Sequence, residues 1–177
     1  MRYRYLFMIG IVLLLGCSSI PFDAANGNAK IESDLQMPAG AISLSSRCRF
    51  FPLEYGPQWP VTMQECVFIK TWNAFEFLGY DKRRQVYVSK HRIAFSDVQC
   101  ATHITEGLSR GLLNLNTNEH AIILALLQPN GNRLDLQAVE DVVTTLSNND
   151  VRILDEKSPP VGGYYVQRTV VRNPCRF

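Results

Sequence analysis

The chain opens with a short apolar segment that has the pattern of an export signal. Arg2 and Arg4 precede an apolar run from Tyr5 to Leu15, and a small residue, Gly16, follows it. A run of about eleven residues is shorter than the ~20 that a membrane-spanning helix needs, so a transmembrane helix is the weaker interpretation. We assign residues 1–16 to a signal peptide. Export matters for the fold of the remaining chain, because an exported chain folds in an oxidising compartment where its cysteines can form lasting disulfides.

The end of this segment, Leu14-Leu15-Gly16-Cys17, resembles the lipobox of bacterial lipoproteins. The resemblance covers residues 1–19 and implies that Cys17 becomes the first mature residue, with a covalent diacylglycerol and an N-acyl chain. An ordinary cleaved signal, which usually ends in an Ala-x-Ala-like site, is the alternative. Ser18 stands where an aspartate commonly retains Gram-negative lipoproteins in the inner membrane. The resemblance therefore implies an outer-membrane lipoprotein that faces the periplasm or, less often, the cell surface.

Four cysteines remain once Cys17 is assigned to lipid: Cys48, Cys66, Cys100 and Cys175. An even number in an exported chain predicts two disulfides, with three possible pairings. We favour Cys48–Cys66, which closes a short loop, and Cys100–Cys175, which would fasten the C-terminal tail. Free thiols or a metal site are the alternatives. No pair has the C-x-x-C spacing that is common in zinc sites, so we expect no metal.

The formal net charge of +2 comes from the signal segment. Without Arg2 and Arg4, 16 of the 18 basic residues remain, and they balance 16 acidic ones. A neutral mature chain has no overall field that would attract nucleic acid, so we expect no nucleic-acid partner. The expected partners are the membrane, through the lipid, and an envelope protein.

Composition divides the mature chain into two parts. Residues 17–46 are poor in aromatic residues and rich in Ala, Gly, Ser and Asn, which predicts a lipidated N-terminus and a flexible tether. Such a coil has a reach of roughly 30 Å and would hold the domain off the membrane. Residues 47–177 have the size of one globular domain. Irregular alternation of strand and helix patterns predicts a small α+β domain, mainly an antiparallel sheet with two or so helices, braced by disulfides.

Local patterns predict several strands. Residues 66–77 follow a helix-capping pattern but are β-branched and aromatic, so we favour a strand there. It would pair with residues 85–95 across a turn at 81–84. A buried strand is predicted over residues 120–128. Shorter strands are predicted over 151–154 and 164–172.

Two segments predict helices. A capping box at Ser96 and a helical stripe of apolar residues predict a helix over 96–108. After a turn at 129–132, Asp135 can cap a second, amphipathic helix that ends at 147–150.

Cys100 and His103 would lie on one face of the first predicted helix, because they are three residues apart. Such proximity can serve a histidine-activated nucleophile. A structural disulfide with an exposed histidine is the stronger interpretation, since Cys100 would fold in an oxidising compartment. A metal site is the weaker alternative.

Two basic clusters are the best candidates for a binding surface. Lys82, Arg83 and Arg84 lie in the predicted turn, and Lys90 and Arg92 lie on the strand that follows. They would occupy the tip and one arm of a hairpin, where they could share one side and bind lipopolysaccharide phosphate, a peptidoglycan carboxylate or an acidic partner. The alternative is a solvated turn and an edge strand whose charges discourage aggregation.

Residues 50–77 are dense in aromatic residues and contain several prolines. They could form a groove for a small ligand or a glycan, although rings of this kind more often pack in a core. Glu140 and Asp141 are adjacent on a helix and do not face each other, so we interpret them as solvated and not as a catalytic pair. The sequence has no P-loop or zinc-protease motif, and we expect no catalytic residues.

These features together favour a membrane-anchored envelope lipoprotein that acts as a non-enzymatic interaction module, or as an accessory subunit of a periplasmic or outer-membrane assembly. A small-ligand or glycan-binding lipoprotein that uses residues 50–77 is the alternative. A hydrolase centred on Cys100 and His103 is less favoured. We expect no cofactor apart from the covalent diacylglycerol and N-acyl chain on Cys17.

Overall fold

Strands dominate the part of the chain that the structure describes. The computed structural model describes residues 20–23, 26–57, 62–107, 110–156, 170–171 and 173–176. One sheet there contains β1 (Leu44–Glu54), β3 (Gln64–Lys70), β4 (Ala74–Asp81), β5 (Val86–Ala94), β6 (Cys100–Ile104), β7 (Leu113–Asn116), β8 (His120–Leu127) and β9 (Arg152–Glu156). Two short strands, β2 (Gly56–Pro57) and β10 (Val170–Val171), pair with each other. The helices are α1 (Gly27–Asp34) and α2 (Leu136–Asn148).

Neighbouring strands in the large sheet are antiparallel, except that β6 and β9 are parallel. The strand order is β5-β4-β3-β1-β8-β7-β6-β9, and the chain passes from β8 through α2 to reach β9. The described residues therefore form one small, sheet-rich domain. The predicted sheet and the predicted number of helices are confirmed, but the α+β label describes so sheet-rich a fold only loosely.

The larger hydrophobic cluster fills one face of the sheet, which we call the inner face. Side chains alternate along a strand, so Cys48 and Phe50 of β1 point to the inner face while Arg47 and Arg49 point to the outer face. The ring centroids of Phe50 and Phe77 are 5.0 Å apart. Their strands are separated by β3, two strand spacings of about 4.8 Å each, so the sheet must curl around this cluster. The helix α2 closes the cluster with Ala138, Val139, Val142 and Leu146.

A second cluster lies on the outer face and holds the N-terminal part of the described chain. Leu78 of β4 packs in this cluster with Ile31 of α1, which is fully buried. The Glu32 side chain accepts a hydrogen bond from the Ile42 N–H at 3.2 Å, so the segment after α1 is held as well. The prediction that residues 17–46 form a flexible tether is therefore wrong for the residues of this range that the structure describes, 20–23 and 26–46. The composition is that of a coil, but a few apolar residues bury enough surface on the sheet to order it.

The predicted hairpin is confirmed, since β4 and β5 pair across a turn at 82–85. The strand favoured over 66–77 is correct in type but is two strands, because the chain turns at 71–73. The Thr71 hydroxyl donates to the Ala74 carbonyl at 3.1 Å and closes this turn. The buried strand predicted over 120–128 is β8.

The prediction of a helix over 96–108 is wrong. A 3-10 turn at Phe95–Asp97 leads instead into β6, which pairs with β7 on one side and β9 on the other. Every residue of β6 is buried. A strand that is buried on both faces loses the alternation of apolar and polar residues, so its spacing can imitate a helical stripe.

The second predicted helix is confirmed as α2. The Asp135 carboxylate accepts a hydrogen bond from the Ala138 N–H at 3.1 Å, as an N-cap should. The predicted turn before it contains Gly131 at φ +73°, a conformation that glycine adopts without strain. No helix among the described residues is long and apolar enough to cross a membrane.

The C-terminal part of the chain is described only in pieces. The strand predicted over 151–154 is β9. Of the strand predicted over 164–172, only β10 lies within the described residues. A short 3-10 turn at Pro174–Arg176 follows it.

Both favoured disulfides are present. The Cα atoms of Cys48 and Cys66 are 4.8 Å apart, and these residues are directly opposite each other on β1 and β3. The Cα atoms of Cys100 and Cys175 are 5.7 Å apart, and this bond ties β6 to a turn 75 residues further along the chain. Because all four thiols are bonded, the alternatives of free thiols and of a cysteine metal site are wrong.

Candidate binding surface

The turn of the β4–β5 hairpin presents three cations, Lys82, Arg83 and Arg84, which we call the basic tip. The Asp81 carboxylate holds the turn by accepting hydrogen bonds from the N–H groups of Arg83 at 2.9 Å and Arg84 at 3.1 Å. All three side chains are exposed. Asp81 also lies 3.8 Å from the Arg84 guanidinium, a solvent-exposed pair of small energetic value. The tip is therefore a shaped turn that carries local positive charge.

The other two predicted cations do not join the basic tip. The Lys90 side chain lies over Gly79 of β4. A Cβ atom placed at that glycine would be only 2.7 Å from the Lys90 Cε. Arg92 pairs with the buried carboxylate of Glu76 at 3.5 Å and donates to the Asn73 side chain at 3.2 Å. Side chains alternate along β4, so positions 76 and 79, three residues apart, lie on opposite faces. Lys90 and Arg92, which contact these positions, therefore lie on opposite faces of the hairpin. The expectation that both clusters share one side is wrong.

Beside the hairpin, residues 20–22 lie against the outer face; we call them the docked segment. The Ile20 carbonyl accepts a hydrogen bond from Arg47 Nη1 at 3.0 Å, and the Pro21 carbonyl accepts one from the Tyr87 hydroxyl. The side chains of Ile20 and Phe22 pack against the outer cluster. Arg47 also lies 6.0 Å from the Phe22 ring centroid. Backbone hydrogen bonds and apolar contacts together hold this segment.

The electrostatics around Tyr87 favour the same arrangement. Burial raises the pKa of the Tyr87 hydroxyl, and the nearby Tyr80 and Asp34 raise it further, so the hydroxyl stays a donor. The Asp34 carboxylate accepts a hydrogen bond from the Tyr87 N–H at 2.9 Å. Partial burial alone would raise the pKa of Asp34, but hydrogen bonds from Lys30 and Tyr87 outweigh it and lower that pKa. The last residue of α1 thus satisfies a backbone N–H group of an edge strand.

The docked segment and its partners were not among the candidate residues taken from the sequence. The available signal was that Ile20 and Phe22 are large apolar residues in a stretch otherwise rich in small and polar ones. Ile20 is held by Arg47 and Pro21 by Tyr87, which are 27 and 66 residues away along the chain. Pairings of that kind cannot be read from local pattern.

The cysteine–histidine pair does not form a nucleophilic site. Cys100 is bonded to Cys175, so it has no thiol to activate. In a strand, residues three apart point to opposite faces, so His103 does not share a face with Cys100. His103 Nδ1 instead lies 3.8 Å from the Asp155 carboxylate of β9. The hydrolase hypothesis centred on this pair is therefore wrong.

A small cavity of about 100 Å³ lies beside His103. Ligand pockets typically measure ~300–1,000 Å³, so this cavity is smaller than a typical pocket for a drug-sized ligand. No group of three or more histidine, cysteine or acidic side chains among the described residues could hold a metal ion. The cavity is lined by His103, Thr105, Arg110, Gly111, Leu136, Val139 and Glu140.

The aromatic residues of 50–77 mostly serve the core. Within the described residues of this segment, Phe50, Phe68, Phe75 and Phe77 are fully buried and in mutual ring contact. Phe51 and Tyr55 are half-buried, and the Trp72 side chain is 85% exposed in the turn between β3 and β4. The four buried rings therefore serve the core, and Trp59 lies outside the described residues.

The acidic residues of α2 have different surroundings. Asp141 accepts a hydrogen bond from Lys70 of β3, so it fastens the helix to the sheet and is not simply solvated as predicted. Glu140 is exposed at the rim of the small cavity. The two carboxylates do not form a catalytic pair.

Comparisons with known proteins add little to this geometry. No family model matches the sequence. No curated protein matches it either. Among solved structures, the chain is similar to the hSac2 domain from human phosphoinositide phosphatase Sac2, at 13% sequence identity and a TM-score of 0.35, over 70% of this chain and 83% of that chain. A likeness this distant assigns no activity.

Proposed function

We propose that this chain is a bacterial envelope lipoprotein, anchored in the outer membrane by lipid on Cys17, whose domain is a non-enzymatic interaction module or an accessory subunit of an envelope assembly. The observation that carries the proposal is the position of the docked segment. Ile20, three residues after Cys17, already packs on the domain. Ile20 lies three residues after the lipobox cysteine, so a chain that begins at Cys17 would keep every contact of the docked segment.

The two disulfides support an exported protein. Such bonds persist in the periplasm and outside the cell but are rare in the cytosol. Both bonds join strands or turns that already pack together, so they brace a formed domain. This pattern fits a protein that folds after crossing the inner membrane.

The chemistry of the described residues supports binding more than catalysis. Cys100, the candidate nucleophile, has no free thiol because it is bonded to Cys175. The basic tip, in contrast, presents its cations to solvent. Arginine and lysine in an exposed turn suit recognition of phosphate or carboxylate groups. We therefore assign the basic tip to an anionic ligand or partner.

Lipidation is tested by mass spectrometry of the N-terminal peptide of the protein purified from membranes. The peptide should begin at Cys17 and carry the mass of a diacylglycerol and an acyl chain. A Cys17→Ser variant should instead leave the membrane fraction. A mature N-terminus at another residue, or an unmodified Cys17, would contradict the anchor.

The interaction role is tested by crosslinking in intact cells followed by affinity purification. The wild-type chain should recover a fixed envelope partner, and the unanchored Cys17→Ser chain should recover much less of it. Recovery of no reproducible partner would count against an interaction module.

A further inference from the structure

We propose that the domain lies directly on the membrane, with the basic tip of the β4–β5 hairpin bound to the phosphate groups of phospholipids. This inference rests on the proposed lipidation of Cys17. It names the anionic ligand of the basic tip and fixes which side of the domain faces the bilayer. The tether expected over residues 17–46 would have held the domain off the membrane, whereas here the domain touches it.

The first step is the length of chain between the lipid and the domain. The docked segment fixes Ile20 through its carbonyl, held by Arg47 at 3.0 Å. Only Ser18 and Ser19 separate Ile20 from Cys17. Three Cα–Cα steps span at most about 11 Å. A coil over residues 17–46 would have reached roughly 30 Å, so the docked segment removes most of the slack.

The second step is which surface lies near the anchor. The residue after Ile20, Pro21, contacts Tyr87, and Tyr87 lies two residues beyond the turn that forms the basic tip. A strand rises about 3.3 Å per residue, so the cations of the tip lie roughly 10–15 Å along the chain from Tyr87. The anchor and the tip therefore share one side of the domain. The inner face, which α2 covers, is on the other side of the sheet.

The third step is charge. The tip holds Lys82, Arg83 and Arg84, and the carboxylate of Asp81 is engaged by the N–H groups of the turn. Attraction to anionic lipid strengthens binding roughly fivefold per Lys or Arg near the surface. It decays over about 8–10 Å in physiological salt, so it acts only if the tip is held close to the bilayer. The short link to Cys17 holds the tip that close. The mature chain as a whole is neutral, so its overall charge would not draw the domain to the membrane.

A protein partner at the tip is the competing possibility. Lipid is favoured because only two residues separate the lipidated cysteine from the docked segment, so a protein partner would have to fit between the tip and a nearby membrane. Arginine also binds phosphate through two parallel hydrogen bonds, and the Arg83 side chain is exposed to do so.

The test uses the full-length lipidated protein in vesicles of phosphatidylcholine, with and without phosphatidylglycerol. A photoreactive benzoylphenylalanine replaces Arg84 at the tip in one sample, and Ser147 at the end of α2 in the other. Position 84 should crosslink to phosphatidylglycerol, and position 147 should give only background. Equal lipid crosslinking at both positions would overturn the proposed orientation. Crosslinking of position 84 to a protein in intact cells, in place of lipid, would also overturn it.

Two further variants separate the short link from the charge. About twelve Gly and Ser residues inserted between Ser19 and Ile20 would add a reach of roughly 20 Å, and lipid crosslinking at position 84 should fall several-fold. The Lys82→Gln/Arg83→Gln variant should lose the preference for phosphatidylglycerol, by roughly fivefold per cation. Arg110→Gln/Arg152→Gln removes the same charge near β6 and β9, at the sheet edge far from β5, and should keep that preference. Unchanged crosslinking in the insertion variant would refute the role of the short link.

The same samples separate this inference from the proposed function. The mass of the N-terminal peptide reports lipidation whether or not the tip touches lipid. An unlipidated chain would overturn the proposed function. A lipidated chain whose tip never contacts lipid would keep the function and overturn the orientation.

Discussion

Replacing Ile31 with alanine should destabilise the whole domain, although Ile31 lies in a segment with the composition of a tether. Its side chain is fully buried between α1 and the outer face of the sheet. If α1 were a loosely attached tether, the same change would have almost no effect. The Ile31→Ala variant therefore tests whether α1 belongs to the domain.

The magnitude follows from the buried side chain. Ile→Ala removes three carbon groups, and each buried methylene is worth about 0.8 kcal/mol, which gives about 2.4 kcal/mol. The cavity left behind increases the cost, and measured values for such changes are ~2–5 kcal/mol. α1 is two turns long and lies on the surface, so its neighbours can partly relax into the gap. We expect a loss of about 2–3 kcal/mol in the free energy of unfolding.

The assay is urea unfolding of the oxidised protein, followed by circular dichroism. With a slope of about 2 kcal/mol per M, the midpoint should fall by about 1–1.5 M. Ser33→Ala changes an exposed residue of the same helix and should shift the free energy by less than ~0.5 kcal/mol. An Ile31→Ala effect as small as that of the control would refute the docking of α1, and with it the short link to the anchor.

Three other results are expected. Replacing Cys100 and Cys175 with alanine should lower the free energy of unfolding, measured by heat or urea, by about 4 kcal/mol. This is about 1 kcal/mol more than the loss on removing the Cys48–Cys66 bond, because the Cys100–Cys175 bond closes the longer loop. Equal losses would contradict the loop-length argument. Burial and, to a smaller extent, the charge of His120 lower the pKa of His91 below 6.5. The contribution of His91 to stability is therefore fully present above pH 6.5 and is lost as the pH falls through the lowered pKa. His91→Gln should reduce the loss of stability measured on acidification, and an unchanged pH profile would contradict this. Arg92→Ala should lower the free energy of unfolding by about 1–3 kcal/mol, because it leaves the buried carboxylate of Glu76 unpaired. Lys82→Ala at the exposed tip should lower it by less than ~0.5 kcal/mol. A larger fall in the urea midpoint for Lys82→Ala than for Arg92→Ala would contradict the structural role of Arg92.

Local features of the sequence predicted the elements whose stability is itself local. The helix α2 has an Asp cap and a regular apolar stripe, and the β4–β5 hairpin has a short polar turn between an aromatic run and a run with β-branched residues. Such signals act over a few residues, so they are visible without the fold. The basic tip was predicted for the same reason, because its cations lie within one turn.

The errors occurred where distant contacts decide the structure. β6 imitated a helix because strands from both sides bury it completely. α1 was taken for coil because its order comes from a few apolar contacts with the sheet and not from its own propensity. Arg92 was grouped with the tip because the sequence does not show that it pairs with the buried carboxylate of Glu76.

The sequence by itself determined the export pattern, the candidate lipid site at Cys17 and the parity of the other cysteines, because each depends on residue type and short spacing. The tertiary structure alone decided that residues 20–22, shortly after that site in the sequence, pack on the sheet. Arg47 and Tyr87, far along the chain, hold the backbone of Ile20 and Pro21 against the sheet. Contacts between distant residues depend on how the sheet curls and which face each side chain occupies, and these shorten the link between Cys17 and the domain to two residues.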